Sequence, residues 1–178
     1  MKKLLSLILI VCVAAAPVFA LAEGAEELPA LNWEDVAEAA AQIPGDFVSS
    51  EEMGVMFWLP EILQPVEVPA DENSPFQLLS LYLSEETPLS VAVTFGAMDG
   101  GIEQYWDTLV KYGGASDFEQ MTVNGMYAFS YDVKENDASV VCFPTEEGNV
   151  LSFMLSPMSD ENCVVLSGII MASFQPVE

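Results

Sequence analysis

Apolar and polar positions change period several times along this chain, and each change marks an element. Leu4 to Val13 is an almost unbroken apolar run behind Met1-Lys2-Lys3. Further on, Trp33, Val36, Ala40 and Ile43 share a helical stripe. Asn32 stands at the cap, Glu34 and Asp35 fill the first turn, and Pro44-Gly45-Asp46 ends the helix. Val55 to Leu59 reads as a strand that stops at Pro60, and the proline-broken stretch Pro65 to Pro75 as a loop with room for a short extended piece. Gln77, Leu79, Leu81 and Leu83 alternate with Leu78, Ser80, Tyr82 and Ser84. After the turn Glu85-Glu86-Thr87-Pro88, Leu89, Val91, Val93 and Phe95 alternate with Ser90, Ala92 and Thr94. Two period-two runs joined by a turn make a hairpin. Tyr82 stands opposite the leucine face with Phe76 and Leu78, so this strand carries bulk on both faces, as in a sheet covered on two sides.

Between Asp99-Gly100-Gly101 and Gly113-Gly114, the residues Ile102, Tyr105, Trp106, Leu109 and Val110 recur at the spacing of an amphipathic helix. A meander follows. Phe118 to Val123 leads into Asn124-Gly125, a strong two-residue hairpin turn. Tyr127, Phe129, Tyr131 and Val133 line one face, and Lys134 to Asp137 form a polar turn. Ser139, Val141 and Phe143 alternate, Glu146 to Asn149 turns again, and Leu151, Phe153 and Leu155 supply the next inward face. Cys163-Val164-Val165-Leu166 has strand propensity. Ser159 as cap, Asp160 and Glu161 in a first turn, and Leu166, Ile169, Ile170 and Phe174 at helical spacing favour a closing helix. The fold class is therefore α+β: an antiparallel sheet with helices packed on its faces, in a single domain over residues 32–178.

The first apolar run is too short for a membrane span, which needs ~20 residues. It ends at Ala14-Ala15-Ala16-Pro17, and Ala20-Leu21-Ala22 offers the small-x-small pattern cut by a signal peptidase. Residues 1–22 are expected to be a signal peptide, with cleavage after Ala22 or, failing that, Ala20. A lipoprotein signal at Cys12 is rejected because Val11 precedes it where a small residue is wanted. The protein is expected to be exported, extracellular or periplasmic, with no stable membrane insertion after cleavage. Residues 23–31 are expected to form a flexible acidic lead-in.

Charge narrows the functions. The chain has 28 Asp and Glu, four Lys, no Arg and no His, for a net charge of −24. Cleavage removes two lysines and no acid, leaving Lys111 and Lys134 against all 28 acids, or −26. Nucleic acid and anionic membrane surfaces are repelled. Without His there is no His-based triad or metal site, and no partner to make a cysteine thiolate. The high apolar fraction, 52 %, argues against disorder despite the charge.

Cys142 and Cys163 remain in the mature chain and admit two readings. In an oxidising compartment they could form a disulfide, and on apolar segments they could be two buried free thiols. Asp132, Glu135, Asn136 and Asp137 cluster around one turn and are the candidate calcium ligands, since calcium wants six to eight oxygens. EF-hand spacing is absent, and a solvated turn is the plainer reading. The acidic pairs along the chain, such as Glu85-Glu86 and Asp160-Glu161, fall mostly at turns and helix starts, where solvent and helix dipoles explain them. A two-carboxylate hydrolase would need a cleft holding two of them close. Trp33, Trp58, Tyr82, Trp106, Tyr112 and Tyr131 are available to line a pocket or interface.

Four local words, in this order, resemble the Mog1/PsbP/DcrB-like fold, and in particular small secreted bacterial domains of that type. They are Gly54-Val55-Met56-Phe57-Trp58-Leu59-Pro60, Glu103-Gln104-Tyr105-Trp106, Val123-Asn124-Gly125 and Ile170-Met171-Ala172-Ser173-Phe174. The likeness spans roughly Phe47 to Phe174. It implies a curved antiparallel sheet with helices on its faces, and no particular reaction, since a nuclear-transport factor and a photosystem accessory protein both have this fold. The expected function is a non-catalytic exported domain that binds a protein partner or small ligand. The alternatives are a calcium-dependent acidic binding domain and, less favoured, a carboxylate-based hydrolase.

Overall fold

The computed structural model describes residues 28–50, 54–68 and 76–177. The expected signal peptide and most of the lead-in lie outside the described residues. The chain runs through β1 (Ala30–Leu31), α1 (Trp33–Ala40), β2 (Gly45–Ser50), β3 (Val55–Pro60), β4 (Gln64–Val66), β5 (Phe76–Leu83) and β6 (Ser90–Ala97). It continues through α2 (Gly101–Gly113), β7 (Ala115–Val123), β8 (Met126–Val133), β9 (Ala138–Pro144), β10 (Asn149–Ser156), α3 (Glu161–Ala172) and β11 (Gln175–Pro176).

Eight strands form one sheet in the order β1-β7-β8-β9-β10-β6-β5-β4, and β11-β3-β2 form a second. Every pairing is antiparallel except the two-residue match of β1 with β7. The large sheet buries both faces. On one, Val91, Val93, Val141, Phe143, Leu151, Phe153 and Leu155 meet Phe57 and Leu59 of the small sheet and Cys163, Ile170 and Phe174 from the α3 end of the chain. On the other, Phe129, Tyr131, Val140, Cys142 and Val150 lie under α2. The alternation in β9 explains this division: successive side chains point to opposite faces, and both sets are apolar.

The closing segment is a helix, as its spacing predicts, but its cap is one residue later than expected. Asp160, not Ser159, accepts the N–H groups of Asn162 and Cys163 at 2.9 and 3.1 Å. Two strands were not legible. β1 is made from the end of the lead-in, and Gly45–Ser50 continues past its expected turn into a strand that lies along β3. Neither signal is local, because β1 is too short to show a period and β2 gains its hydrogen bonds from β3. Val110 and Tyr127 belong to predicted apolar faces, yet both are exposed.

The largest correction lies in β5. Leu79 falls at a register shift between Leu78 and Ser80 in the ladder with β6. One extra residue in a strand reverses which face the following side chains occupy. The expected leucine face is therefore split. Leu79 and Tyr82 pack toward the core under the small sheet. Leu81 and Leu83 lie opposite Ala92 and Ser90, on the α2 side, and share that side with Phe76 and Leu78.

Candidate functional site

α2 begins where β6 ends and runs to β7. Its Tyr105 is buried, and Ile102, Trp106 and Leu109 pack beside it on β7, β8, β9 and β10. Two left-handed glycines, Gly100 before it and Gly114 after it, let the chain turn sharply at both ends. The Tyr105 ring also meets Phe76 edge-on at 6.3 Å between centroids. Phe76 marks the limit of the helix's cover.

Beyond that limit the same sheet face stays open. Val66 stands opposite Leu81 in the β4–β5 ladder, so Val66, Phe76, Leu78, Leu81 and Leu83 share one face. Val66, Phe76, Leu78 and Leu83 retain 41, 38, 37 and 41 % of their exposure. The next strand inward, β6, contributes only small residues to this face, Ser90, Ala92 and Thr94. On its far side Met154, opposite Ala92, packs against the residues under α2. Small, mostly hydroxyl-bearing side chains, with Ser152 and Ser156 of β10 beside Thr94 and Ser90, make a shallow trough along β6 bordered by the larger apolar residues of β4 and β5.

Charge around this trough has one sign. Glu61 precedes β4, Glu67 follows it, and Glu85 and Glu86 form the β5–β6 turn, all exposed. Residues 61–88 hold six acids and no Lys. The two lysines among the described residues sit elsewhere: Lys111 in the last turn of α2 and Lys134 just after β8.

The two borders of the large sheet differ. At the far one, β7 bulges between Ser116 and Glu119, with Asp117 at φ 58°. Lys134 holds the Asp117 carboxylate at 2.8 Å, and β1 covers Thr122 and Val123. Bulges and charges of this kind discourage added strands. At the near border, β4 pairs only with Leu81, Tyr82 and Leu83. Among the described residues no strand lies outside Gln77 to Ser80.

Under α2 lies a small polar cluster. Cys142 Sγ and Ser152 Oγ are 3.2 Å apart, and the hydroxyls of Tyr105 and Tyr131 join the same hydrogen-bonded set. All four residues are buried. Burial pushes the Cys142 thiol up to about 12 and the Tyr105 hydroxyl also up to about 12, and it raises Tyr131 further. Cys163 is free as well, raised to about 11 by burial and then by the nearby Asp160 carboxylate. Cys142 faces α2 while Cys163 packs in the core on the other side of the sheet. The disulfide reading is set aside because the sheet itself separates the two thiols.

The candidate calcium ligands do not converge. Asp132 lies in β8 opposite Ser139, whereas Glu135 and Asn136 are exposed in a single 3-10 turn. Asp137, left-handed at φ 49°, spends its carboxylate on the Ser159 N–H at 3.1 Å and on the Ser159 hydroxyl. Its carbonyl accepts the Met158 N–H at 2.8 Å. Among the described residues, no three His, Cys, Asp or Glu are placed to hold a metal ion. The aromatic candidates are dispersed too. Trp58 and Tyr131 are buried on opposite sides of the large sheet, Trp33 packs edge-on to Phe47 at 5.1 Å, and Tyr112 is exposed beside Lys111.

No family model matches the chain, and no curated protein does. Solved structures do. The solution structure of cyanobacterial PsbP (CyanoP) from Synechocystis sp. PCC 6803 is 15 % identical with a TM-score of 0.55, over 75 % of this chain and 93 % of that one. The crystal structure of the Ran-binding protein Mog1p of Saccharomyces cerevisiae is 14 % identical with a TM-score of 0.46, over 76 % and 97 %. The fold is PsbP-like. Three of the four words that carry the resemblance are joined by hydrogen bonds in this structure. The Trp58 N–H donates to Ser173 Oγ at 2.8 Å, and Asn124 Nδ2 donates to the carbonyls of Ala172 and Phe174, each at 2.8 Å. A PsbP-like fold fixes the scaffold and leaves open which surface is used. Among the described residues, no helix is long and apolar enough to cross a membrane.

Proposed function

We propose that this chain is an exported, non-catalytic binding domain that docks a protein partner on the open face of β4, β5 and β6. One observation carries the reading: Val66, Leu78 and Leu83 stay exposed on a sheet face that α2 covers over β7 to β10. Sheets bury their apolar face against another layer, and a contiguous apolar patch left exposed marks an interaction surface. A shallow trough suits a protein surface or chain segment better than a small molecule, which prefers a deep pocket. The non-catalytic part rests on chemistry. The chain has no His or Arg, and its two described thiols are buried and held protonated far above neutral pH. Export rests on the N-terminal Lys-Lys, apolar run and Ala-x-Ala signature.

Site-specific photo-crosslinking in the producing cell tests this. A benzophenone side chain at Leu78 or Leu83 is expected to give one discrete adduct that the same probe at Val165, exposed on α3, does not give. The proposal fails if the β5 probes give no adduct, or if all three positions give the same products.

A further inference from the structure

We infer that Asn124-Gly125 is a modification site gated by unfolding. Once Asn124 leaves its partners, the Gly125 nitrogen displaces the side-chain amide, and the acid left behind bars return to the native turn. This goes beyond the binding role and does not depend on the β4–β6 face. Asn124 is the only Asn in the chain followed by Gly. With no side chain on residue 125, the main-chain nitrogen reaches the Asn amide carbon unhindered. The fold demands this pair. Both turn residues are left-handed, at φ 47° and 80°, as a two-residue hairpin turn between Val123 and Met126 requires.

The step balances with water alone. The Gly125 nitrogen bonds to Asn124 Cγ and gives up its proton, the Cγ–Nδ2 bond breaks, and ammonia leaves. Water then opens the five-membered ring at one of its two carbonyls. One opening gives an aspartyl residue. The other gives an isoaspartyl residue, with the main chain rerouted through Cβ and Cγ. The native structure opposes ring closure in two ways. In the left-handed conformation the following nitrogen points away from Cβ, out of reach of Cγ. The amide is also held. Oδ1 accepts the Trp33 N–H at 2.7 Å, and Nδ2 donates to the Ala172 and Phe174 carbonyls at 2.8 Å each. The Asn124 N–H itself donates to the Leu31 carbonyl at 2.8 Å. Ring closure has to turn the residue out of this set, which frees β1, the start of α1 and the end of α3 from the β7–β8 turn. Neither product fits back. An aspartyl side chain has no donor for the two carbonyls and brings a charge to them. An isoaspartyl residue adds a main-chain atom to a turn closed by the Val123–Met126 pair.

The test holds the purified protein at mildly alkaline pH, in native buffer and in denaturing urea. Peptide mapping reads the amide-to-acid mass gain at each Asn, and labelling with an isoaspartyl methyltransferase reads the isoaspartyl fraction. In urea, Asn124 is expected to convert several-fold faster than any other Asn, and at least ten-fold faster than it does in native buffer. Gly125→Ala, read in urea where its strained φ is irrelevant, should slow the conversion at least ten-fold. Trp33→Ala keeps the Asn-Gly pair but loosens α1, since Trp33 packs on Phe47 and the core. It should raise conversion in native buffer several-fold, whereas Val165→Ala, at an exposed position on α3, should not. After urea is removed, converted chains are expected to melt below intact ones or to stay unfolded.

The inference is overturned if Asn124 converts equally fast in native buffer and in urea, since the fold then protects nothing. It is overturned as well if another Asn converts first in urea, or if Trp33→Ala leaves the native rate unchanged. Converted chains that regain the melting temperature of intact ones would equally remove it, because the product then bars nothing.

Discussion

Replacing Asn124 should test the construction of this domain more sharply than any core truncation. Asn124 sits in the β7–β8 turn at φ 47°, and its side chain makes three hydrogen bonds to main chain distant in sequence. Its Oδ1 accepts the Trp33 N–H at 2.7 Å, at the start of α1, and its Nδ2 donates to the Ala172 and Phe174 carbonyls at the end of α3. One side chain thus serves a helix N-terminus and a helix C-terminus, whose groups have no partners within their own helices. At about 1 kcal/mol each, removing the three bonds costs about 3 kcal/mol. Alanine in a left-handed conformation adds about 1 kcal/mol. Asn124→Ala is therefore expected to lose about 4 kcal/mol, and Asn124→Gly, free of the backbone penalty, about 3 kcal/mol. Asn124→Asp keeps an acceptor for Trp33 but turns a carboxylate toward two carbonyls, so it should be no better than Gly. For a domain this size the Ala variant should melt about 8–16 °C lower. Urea titration followed by tryptophan fluorescence is the assay. Guanidinium is avoided because it is a salt and would screen the large negative charge. A loss under 1 kcal/mol for Asn124→Ala, or an Asp variant as stable as the parent, would refute the account.

Three further outcomes are expected. Cys142, Cys163 and Tyr105 are acids whose folded values, about 12, 11 and 12, lie above ordinary values of 9.0, 9.0 and 10.0. Such groups contribute full stability below the unfolded value and lose it as pH rises. The urea midpoint should fall progressively above pH 9, and Cys142→Ala should make that fall shallower; an unchanged slope would contradict the assignment. Gly45→Ala would place a Cβ 2.5 Å from Trp58 Cζ2 and 2.7 Å from the Leu59 carbonyl oxygen, and should cost about 1–3 kcal/mol in the same titration. At matched ionic strength, calcium and magnesium should raise the melting temperature equally through screening, whereas a shift specific to calcium and growing with its concentration would establish a site.

The strands of the meander were legible because each carries its own period between strong turns. Helix α2 was legible for the same reason, with its stripe and its terminal glycines. α3 was harder, since it is apolar all round: Cys163, Leu166, Ile169 and Ile170 are buried, and only its acidic start and spacing separate it from a strand. Asn124-Gly125 announced a hairpin, but nothing local revealed that the Asn side chain also ties α1 to α3, because those partners lie 91, 48 and 50 residues away. The four words of the resemblance each look weak in isolation. Three of them meet at the start of α1, the end of α3 and the strand β3, and that junction gives a physical reason for them to occur together.

The open face was illegible for a more specific reason. Read with an unbroken period of two, Gln77 to Leu83 puts Leu79, Leu81 and Leu83 on one side, and that side would be assigned to the core. The bulge at Leu79 changes the phase in mid-strand. Leu79 and Tyr82 are drawn into the core beside Phe57, to which Tyr82 lies edge-on at 6.1 Å between centroids. Leu81 and Leu83 are thereby sent to the face where Phe76 and Leu78 already stand, beyond the cover of α2. A straight strand of this sequence would send Tyr82 to the α2 face and Leu81 and Leu83 inward, dismantling the apolar patch. Deleting Leu79 removes the bulge itself and leaves Leu78, Leu81 and Leu83 on one face of a straight strand, opposite Thr94, Ala92 and Ser90, so the crosslinked adduct at Leu83 should persist, at a cost in stability from the lost core contact. Leu79→Ala keeps the chain length and the bulge, and should likewise retain the adduct at a cost in stability.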